Sequence, residues 1–324
     1  MKIDQEEINA VNRVLTSQKL SSLHGRTTEL FEKDLCRYLH YTYSIAVNSG
    51  TAALHSALMA IGVKPGHEVI IPALTFTSTA AAVLMCGATP VFADIDPGLF
   101  TIGNEQVHDV LTEKTYCVIV VHLMGIPARM NEIMGVCDDY GLLLVEDACQ
   151  ALGSKWNDKY VGTIGHVGVT SFYPSKVITT GEGGCVLTDA IHISEYCREF
   201  RNHGRSIVGD EINMLGYNYR MTEVQASIGR VQLSKIREHK KFTNKLKEIL
   251  YAEATEAKLI PPFIPHRSDP LFQYLVMLSK EEIPLDQRNW YKPLYEYNLY
   301  KKYKRGNYPN TDYVYKHAIK VPLL

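Results

Sequence analysis

Three neighbouring segments, Val145-Glu-Asp-Ala-Cys-Gln150, Ser171-Phe-Tyr-Pro-Ser-Lys176 and Thr179-Thr-Gly-Glu-Gly-Gly184, bring an acid, an amide, a hydroxyl and an amine within reach of one ligand. The apolar run Leu142, Leu143, Leu144, Val145 puts Asp147 at the carboxyl end of a buried strand, the edge at which open parallel sheets bind ligands. Lys176 stands in a turn-forming segment rich in Pro, Ser, Thr and Gly, where the backbone can bend and aim a long amine inward. An amine that can attack an aldehyde, and an acid that pairs with a protonated ring nitrogen, are what pyridoxal phosphate (PLP) chemistry asks of a protein. Lys176 is the candidate amine, Asp147 the candidate ring partner, and Gln150 can reach a ring hydroxyl. Taken alone, Asp147 reads equally well as a cap after a strand; the neighbouring lysine favours the cofactor.

A phosphate needs backbone amides and hydroxyls at a helix start, and Asn48-Ser-Gly-Thr51 lies between a strand-like and a helical segment. Gly50 and Thr51 are the candidates there, although any strand-to-helix junction favours these residue types. Ser171 adds a hydroxyl, and Phe76 could stack on a pyridine ring or simply pack in the core. His122 and His203 read as packing residues, and Asp94 and Asp96 as the polar turn after a strand. The chain has no G-x-x-x-x-G-K-[ST], G-x-G-x-x-G after a strand, H-E-x-x-H or G-x-S-x-G.

Positioning these residues falls to an alternation of strands and helices. Strand-like residues 44–47, 69–72, 90–94, 118–122, 142–146, 167–172 and 184–187 are interleaved with helical residues 52–61, 77–86, 104–112 and 130–140. Such alternation predicts an α/β fold with a mostly parallel central sheet covered on both faces. Residues 222–254 read as one long helix leaving this body, followed by an apolar run at 272–278. The Tyr/Lys-rich residues 284–324 read as solvated surface more readily than as a binding arm. The expected organisation is a large cofactor domain of residues 1–235 and a small C-terminal α+β domain of residues 236–324.

Composition narrows the partners. With 34 basic and 35 acidic residues and a net charge of −1, nothing calls for nucleic acid or a membrane surface. The seven cysteines are scattered and form no C-x-x-C pair, which argues against a disulfide framework or a zinc site; no metal is expected. The charged amino terminus is unlike a signal peptide, and no run approaches the roughly 18 apolar residues of a spanning helix. A cytoplasmic protein is expected.

Taken together, Asn48-Ser-Gly-Thr-Ala-Ala-Leu54, the segments around Asp147 and Lys176, and Gly216-Tyr-Asn-Tyr-Arg-Met221 resemble the DegT-type nucleotide-sugar aminotransferases, with greatest likeness to perosamine-synthase-like members, over about residues 15 to 235. The resemblance implies the aspartate-aminotransferase (fold type I) architecture and a homodimer with a composite active site. It makes Lys176 the cofactor lysine, Asp147 the ring-nitrogen partner, Gln150 the neighbour of the ring hydroxyl and Phe76 the stacking aromatic. Gly50, Thr51 and Ser171 match phosphate positions, and Asn218 an asparagine reaching the phosphate from the neighbouring subunit. It further implies amino transfer from glutamate to a nucleotide-linked 4-keto-6-deoxy sugar, in amino-sugar and polysaccharide biosynthesis. Alternatives within the resemblance are a dehydratase, which in some relatives carries histidine at the lysine position, and a non-sugar aminotransferase; a cofactor-binding protein without turnover is the third. Relative to that family the C-terminal region reads as shortened, between residues 278 and 291 and after Val321-Pro-Leu-Leu324.

Overall fold

The computed structural model describes residues 3–323; Met1 and Lys2 of the charged amino terminus, and Leu324 of the final segment, lie outside the described residues. Two amphipathic helices that the sequence reading does not assign, α1 (Gln5–Ser17) and α2 (Thr27–Leu39), come first. The alternation then runs β1 (Tyr43–Val47), α3 (Gly50–Ala60), β2 (Glu68–Pro72), α4 (Ser78–Met85), β3 (Thr89–Ala93), α5 (Asn104–His108), β4 (Thr115–Val121), α6 (Met130–Tyr140) and β5 (Leu143–Asp147). After a hairpin of β6 (Lys155–Trp156) and β7 (Lys159–Tyr160) it finishes with β8 (Val167–Ser171), β9 (Gly184–Thr188) and α7 (Ile191–Phe200). The expected helix at 104–112 is shorter, ending at His108.

The sheet has seven strands in the order β1-β9-β8-β5-β4-β2-β3. Its pairs are parallel except those of β9, which runs antiparallel to both β8 and β1. The mostly parallel α/β fold expected from the alternation is therefore present. Successive strand residues serve opposite faces. Val69 and Ile71 pack with Leu54, Leu58, Ala80 and Val83 of α3 and α4, while Ile70 between them packs with Ile133 and Cys137 of α6. Burial on both sides explains why the strands are continuous apolar runs.

The long helix expected at 222–254 is two helices, α8 (Glu223–Ser234) and α9 (Ile236–Glu256), divided at Lys235. Periodicity reads helix on either side of such a break and is blind to the change of axis. Lys235 is held by Asp4 and Glu7 of the α1 start, at 2.8 and 3.0 Å, and Ile236 is buried against the core of the large sheet. Beyond α9, β10 (Ser268–Asp269) joins β6, and β11 (Tyr274–Leu278) pairs antiparallel with β12 (Ala318–Pro322) after α10 (Pro309–His317).

Two expectations need correction here. Within the Tyr/Lys-rich tail, Leu294, Tyr295, Tyr300 and Tyr308 are buried in the same cluster as Ile45 and Phe92 of the large sheet, so this stretch is no free arm and only partly the solvated surface expected, its lysines Lys301, Lys302 and Lys304 staying exposed. Tyrosine permits this because its ring packs while its hydroxyl finds a partner; the Tyr300 hydroxyl shares a 2.7 Å hydrogen bond with Thr77 Oγ1. Asp94 is more than a turn residue: its carboxylate accepts from the Asn310 and Thr311 amides at 2.9 and 2.8 Å, holding the start of α10. Asp96 does make the expected turn, accepting from the Gly98 and Leu99 amides.

Candidate active site

At the carboxyl edge of the sheet, β1 turns directly into α3. Ser49 Oγ accepts from the Ala52 amide at 3.1 Å and starts the helix. A Cβ on Gly50 would stand 2.8 Å from Ser171 Cβ and 3.2 Å from Cys149 Sγ, and one on Gly184 would stand 2.4 Å from the Ser49 carbonyl oxygen. Only glycine lets the helix start press this closely on β8 and β9. Thr51 Oγ1 and Ser78 Oγ share a 2.7 Å hydrogen bond, so the first turns of α3 and α4 meet at one point. Two helix amino termini and the hydroxyls of Thr51, Ser78 and Ser171 give this corner the amides, dipoles and donors that hold a phosphate dianion.

The corner opens into a cavity of about 410 Å³ bordered by Gly50, Thr51, Phe76, Asp147, Gln150, Ser171 and Lys176. Seven of the eight residues singled out from the sequence thus meet at one place. Asn218 does not border it: the residue is exposed, its carbonyl accepts from Asn48 Nδ2 at 3.2 Å, and it bridges to Asn202. Phe76 is not packed in the core, since half of its surface is open, with its ring 6.0 Å from that of Tyr291. His122 is a packing residue as expected: it is buried, its Nδ1 accepts from the Ala128 amide, and its Nε2 therefore donates to Glu146 at 2.9 Å. His203 is exposed and is absent from the cavity wall.

Asp147 is buried at the end of β5, where it accepts from Thr79 Oγ1 and the Cys149 amide, both at 3.1 Å. Among the described residues no cation forms an ion pair with it. A buried carboxylate is costly without a positive partner, and a protonated ring nitrogen would supply one. Lys176 is half-buried; desolvation lowers the pKa of its amine, against the opposing pull of Cys149 and Asp147, so that the neutral, nucleophilic form is reached more easily than in a free lysine. Gln150 is fixed from three sides. Its Oε1 accepts from the Met124 amide and the Tyr274 hydroxyl, each at 2.9 Å, and its Nε2 donates to the Tyr291 hydroxyl at 3.2 Å. One Nε2 hydrogen remains for a ligand.

Ser78, Thr79, Cys149, Tyr173, Ser175 and Tyr291, which are not among the residues expected from the sequence, also border the cavity. The hydroxyl-rich run Thr75-Phe-Thr-Ser-Thr79 at a strand-to-helix junction was a readable signal for the first two. Tyr291 carries none, because what brings it here is the return of the chain from beyond β11. A phosphate corner, a buried carboxylate without an ion pair, a desolvated amine and an open aromatic ring around one cavity fit PLP, the group this chemistry requires.

Comparison with known proteins agrees. The chain matches the DegT/DnrJ/EryC1/StrS aminotransferase family over residues 1–324. It is 34% identical to the Methanocaldococcus jannaschii protein MJ1066 over 351 aligned positions, 99% of this chain and 90% of that one. It is 38% identical to the GDP-perosamine synthase of Escherichia coli O157:H7 over 229 positions, covering 70% of this chain and 63% of the synthase, so that enzyme extends well beyond the shared segment. Spr1654 of Streptococcus pneumoniae, solved in its PLP form, superposes with a TM-score of 0.93 at 25% identity, covering 99% of this chain and 92% of that one.

Proposed function

The chain belongs to the DegT/DnrJ/EryC1/StrS aminotransferase family, and from that premise we propose that it moves the amino group of glutamate to the keto carbon of a nucleotide-linked 4-keto-6-deoxy sugar, a step toward an amino sugar for polysaccharide. The observation that carries this reading is the meeting of Lys176, Asp147 and the phosphate corner of Gly50, Thr51 and Ser171 around one cavity. PLP, when bound, supplies an electron sink for the pair released at the substrate carbon. Asp147 would hold the ring nitrogen protonated, Phe76 would offer its ring for stacking, and Gln150 would donate to the ring hydroxyl. Lys176 Nζ, its pKa lowered by burial, takes a proton from one carbon and returns it to the next. Lysine rather than histidine at this position favours transamination over dehydration.

The site is completed by a second copy of the chain in this reading. Asn218 flanks an excursion whose Ile207, Val208, Ile212 and Leu215 are exposed, Val208 to 87%, an apolar tip suited to a partner surface. From the neighbouring subunit, Asn218 reaches the phosphate corner. We also divide the chain after Lys235, with residues 294–308 of the small domain folding back on the large one. No helix among the described residues is long and apolar enough to cross a membrane, which accords with a cytoplasmic enzyme.

A screen of keto-sugar nucleotides with glutamate, read by mass spectrometry, tests the substrate class; formation of an amino sugar nucleotide is the expected result, and inertness toward the whole panel would sink it. The shared site is tested by mixing Lys176→Ala and Asn218→Ala subunits. Mixed dimers should regain activity through one intact site, and verified mixed dimers that stay dead would refute the composite arrangement.

A further inference from the structure

In the two-stranded sheet Lys320 of β12 stands opposite Val276 of β11, on the face that also carries Tyr274. Its Nζ lies 4.5 Å from the centre of the Tyr274 ring. The hydroxyl of that ring donates to Gln150 Oε1 at 2.9 Å and accepts from Trp290 Nε1 at 3.2 Å. Gln150 borders the Lys176 cavity, so Lys320 is one ring removed from the wall. Its backbone is pinned, the amide donating to Asn289 Oδ1 at 2.9 Å and the carbonyl accepting from Asn289 Nδ2 at 3.1 Å. The side chain is half-buried, and among the described residues no carboxylate meets its ammonium. A tyrosine face shelters a cation without neutralising it. The charge is also felt inside the cavity, where it helps lower the Lys176 amine.

A cation sheltered but unneutralised, beside a cavity whose expected substrates are anions, has an evident use. We propose that Lys320 is a substrate-reading residue of this enzyme, its ammonium receiving an anionic oxygen group of a bound substrate, an assignment that rests on the transamination reading. Two groups have the required chemistry: a carboxylate of the amino donor and the diphosphate of the sugar nucleotide. Charge-assisted contacts of this kind are oriented by both the planted stem and the pinned strand, which makes Lys320 a specificity residue rather than a general attractor.

Binding to the holoenzyme of glutarate and of GDP, neither of which can give or take an amino group, separates this from turnover. Lys320→Met keeps an aliphatic stem over Tyr274 and removes the charge. By calorimetry it should weaken one of the two ligands roughly tenfold or more and leave the other unchanged, with Lys320→Arg restoring most of the loss. A loss confined to glutarate identifies the carboxylate, and one confined to GDP identifies the diphosphate; in turnover it should fall on the KM of the matching substrate with little change in kcat. Equal binding of both ligands by wild type and Lys320→Met overturns the proposal, as does a loss that arginine does not restore. Failure of the transamination reading is visible independently, as cofactor absorbance in the wild type that glutamate does not change.

Discussion

The sheet edge and the C-terminal cover meet at Gln150 but are built on opposite principles. On the sheet edge, Gly50, Thr51, Asp147 and Ser171 sit at the ends of buried strands or the starts of helices, so backbone that must be fixed for the core to pack also fixes the chemistry. The cover consists of Tyr274, Trp290, Tyr291 and Lys320, from a two-stranded sheet and a loop, and it reaches the cavity through side-chain contacts such as Tyr274 to Gln150 and Gln150 to Tyr291. A pocket wall held by the main chain can keep one cofactor across many relatives, whereas a wall held by side-chain contacts can change with the substrate. The cofactor half should therefore tolerate almost nothing, and the cover should trade affinity and specificity in small steps.

Lys176→Ala is the strongest test of that contrast. Without the amine, the absorbance change on adding glutamate and the transamination rate should both fall by at least about a thousandfold, with circular dichroism unchanged. A variant retaining a tenth of the rate would remove Lys176 from the chemistry. Asp147→Asn comes next. It keeps the shape at the end of β5 but removes the charge that the buried site offers a ring nitrogen, and turnover should drop roughly a hundredfold. Steady-state kinetics at saturating PLP checks this, because added cofactor cannot repair a missing charge; full recovery at high PLP would mean Asp147 serves only to bind.

The same contrast explains what the chain let one read. Asp147 follows a run of apolar residues, Gly50 precedes a helix and Lys176 lies in a turn, so their surroundings in sequence are also their surroundings in space. The alternation of strands and helices was legible for the same reason, since each element's period reports its own faces. The break at Lys235 and the burial of Tyr295, Tyr300 and Tyr308 were not, because both depend on partners far along the chain, Asp4 and Glu7 in the first case and the core around Ile45 and Phe92 in the second. Tyr291 and Tyr274 were missed likewise: their link to Gln150 spans 141 and 124 positions. Asn218 was read from a motif; within one chain its carbonyl accepts from Asn48 and it stands opposite Asn202 in an isolated bridge, neither of which points to the cavity.

Two gentler substitutions place the boundary between the regions. Gly50→Ala sets a methyl 2.8 Å from Ser171 Cβ and 3.0 Å from its Oγ, so the α3 start must shift away from the phosphate corner. Overpacking of this kind costs about 1–3 kcal/mol, and PLP affinity, titrated into apoprotein by absorbance, should weaken roughly tenfold. Unchanged affinity would mean that the close approach serves packing alone. Tyr274→Phe should have the smallest effect. It removes the donor to Gln150 Oε1 and the acceptor of Trp290 Nε1, yet Gln150 keeps the Met124 amide at 2.9 Å. Stability in denaturant should fall by about 1–2 kcal/mol, and PLP affinity by no more than a few-fold, because the phosphate corner and Asp147 are untouched. If Tyr274→Phe instead abolished cofactor binding, the cover would be part of the cofactor site, and the tyrosine network, not the strand ends, would be setting its geometry.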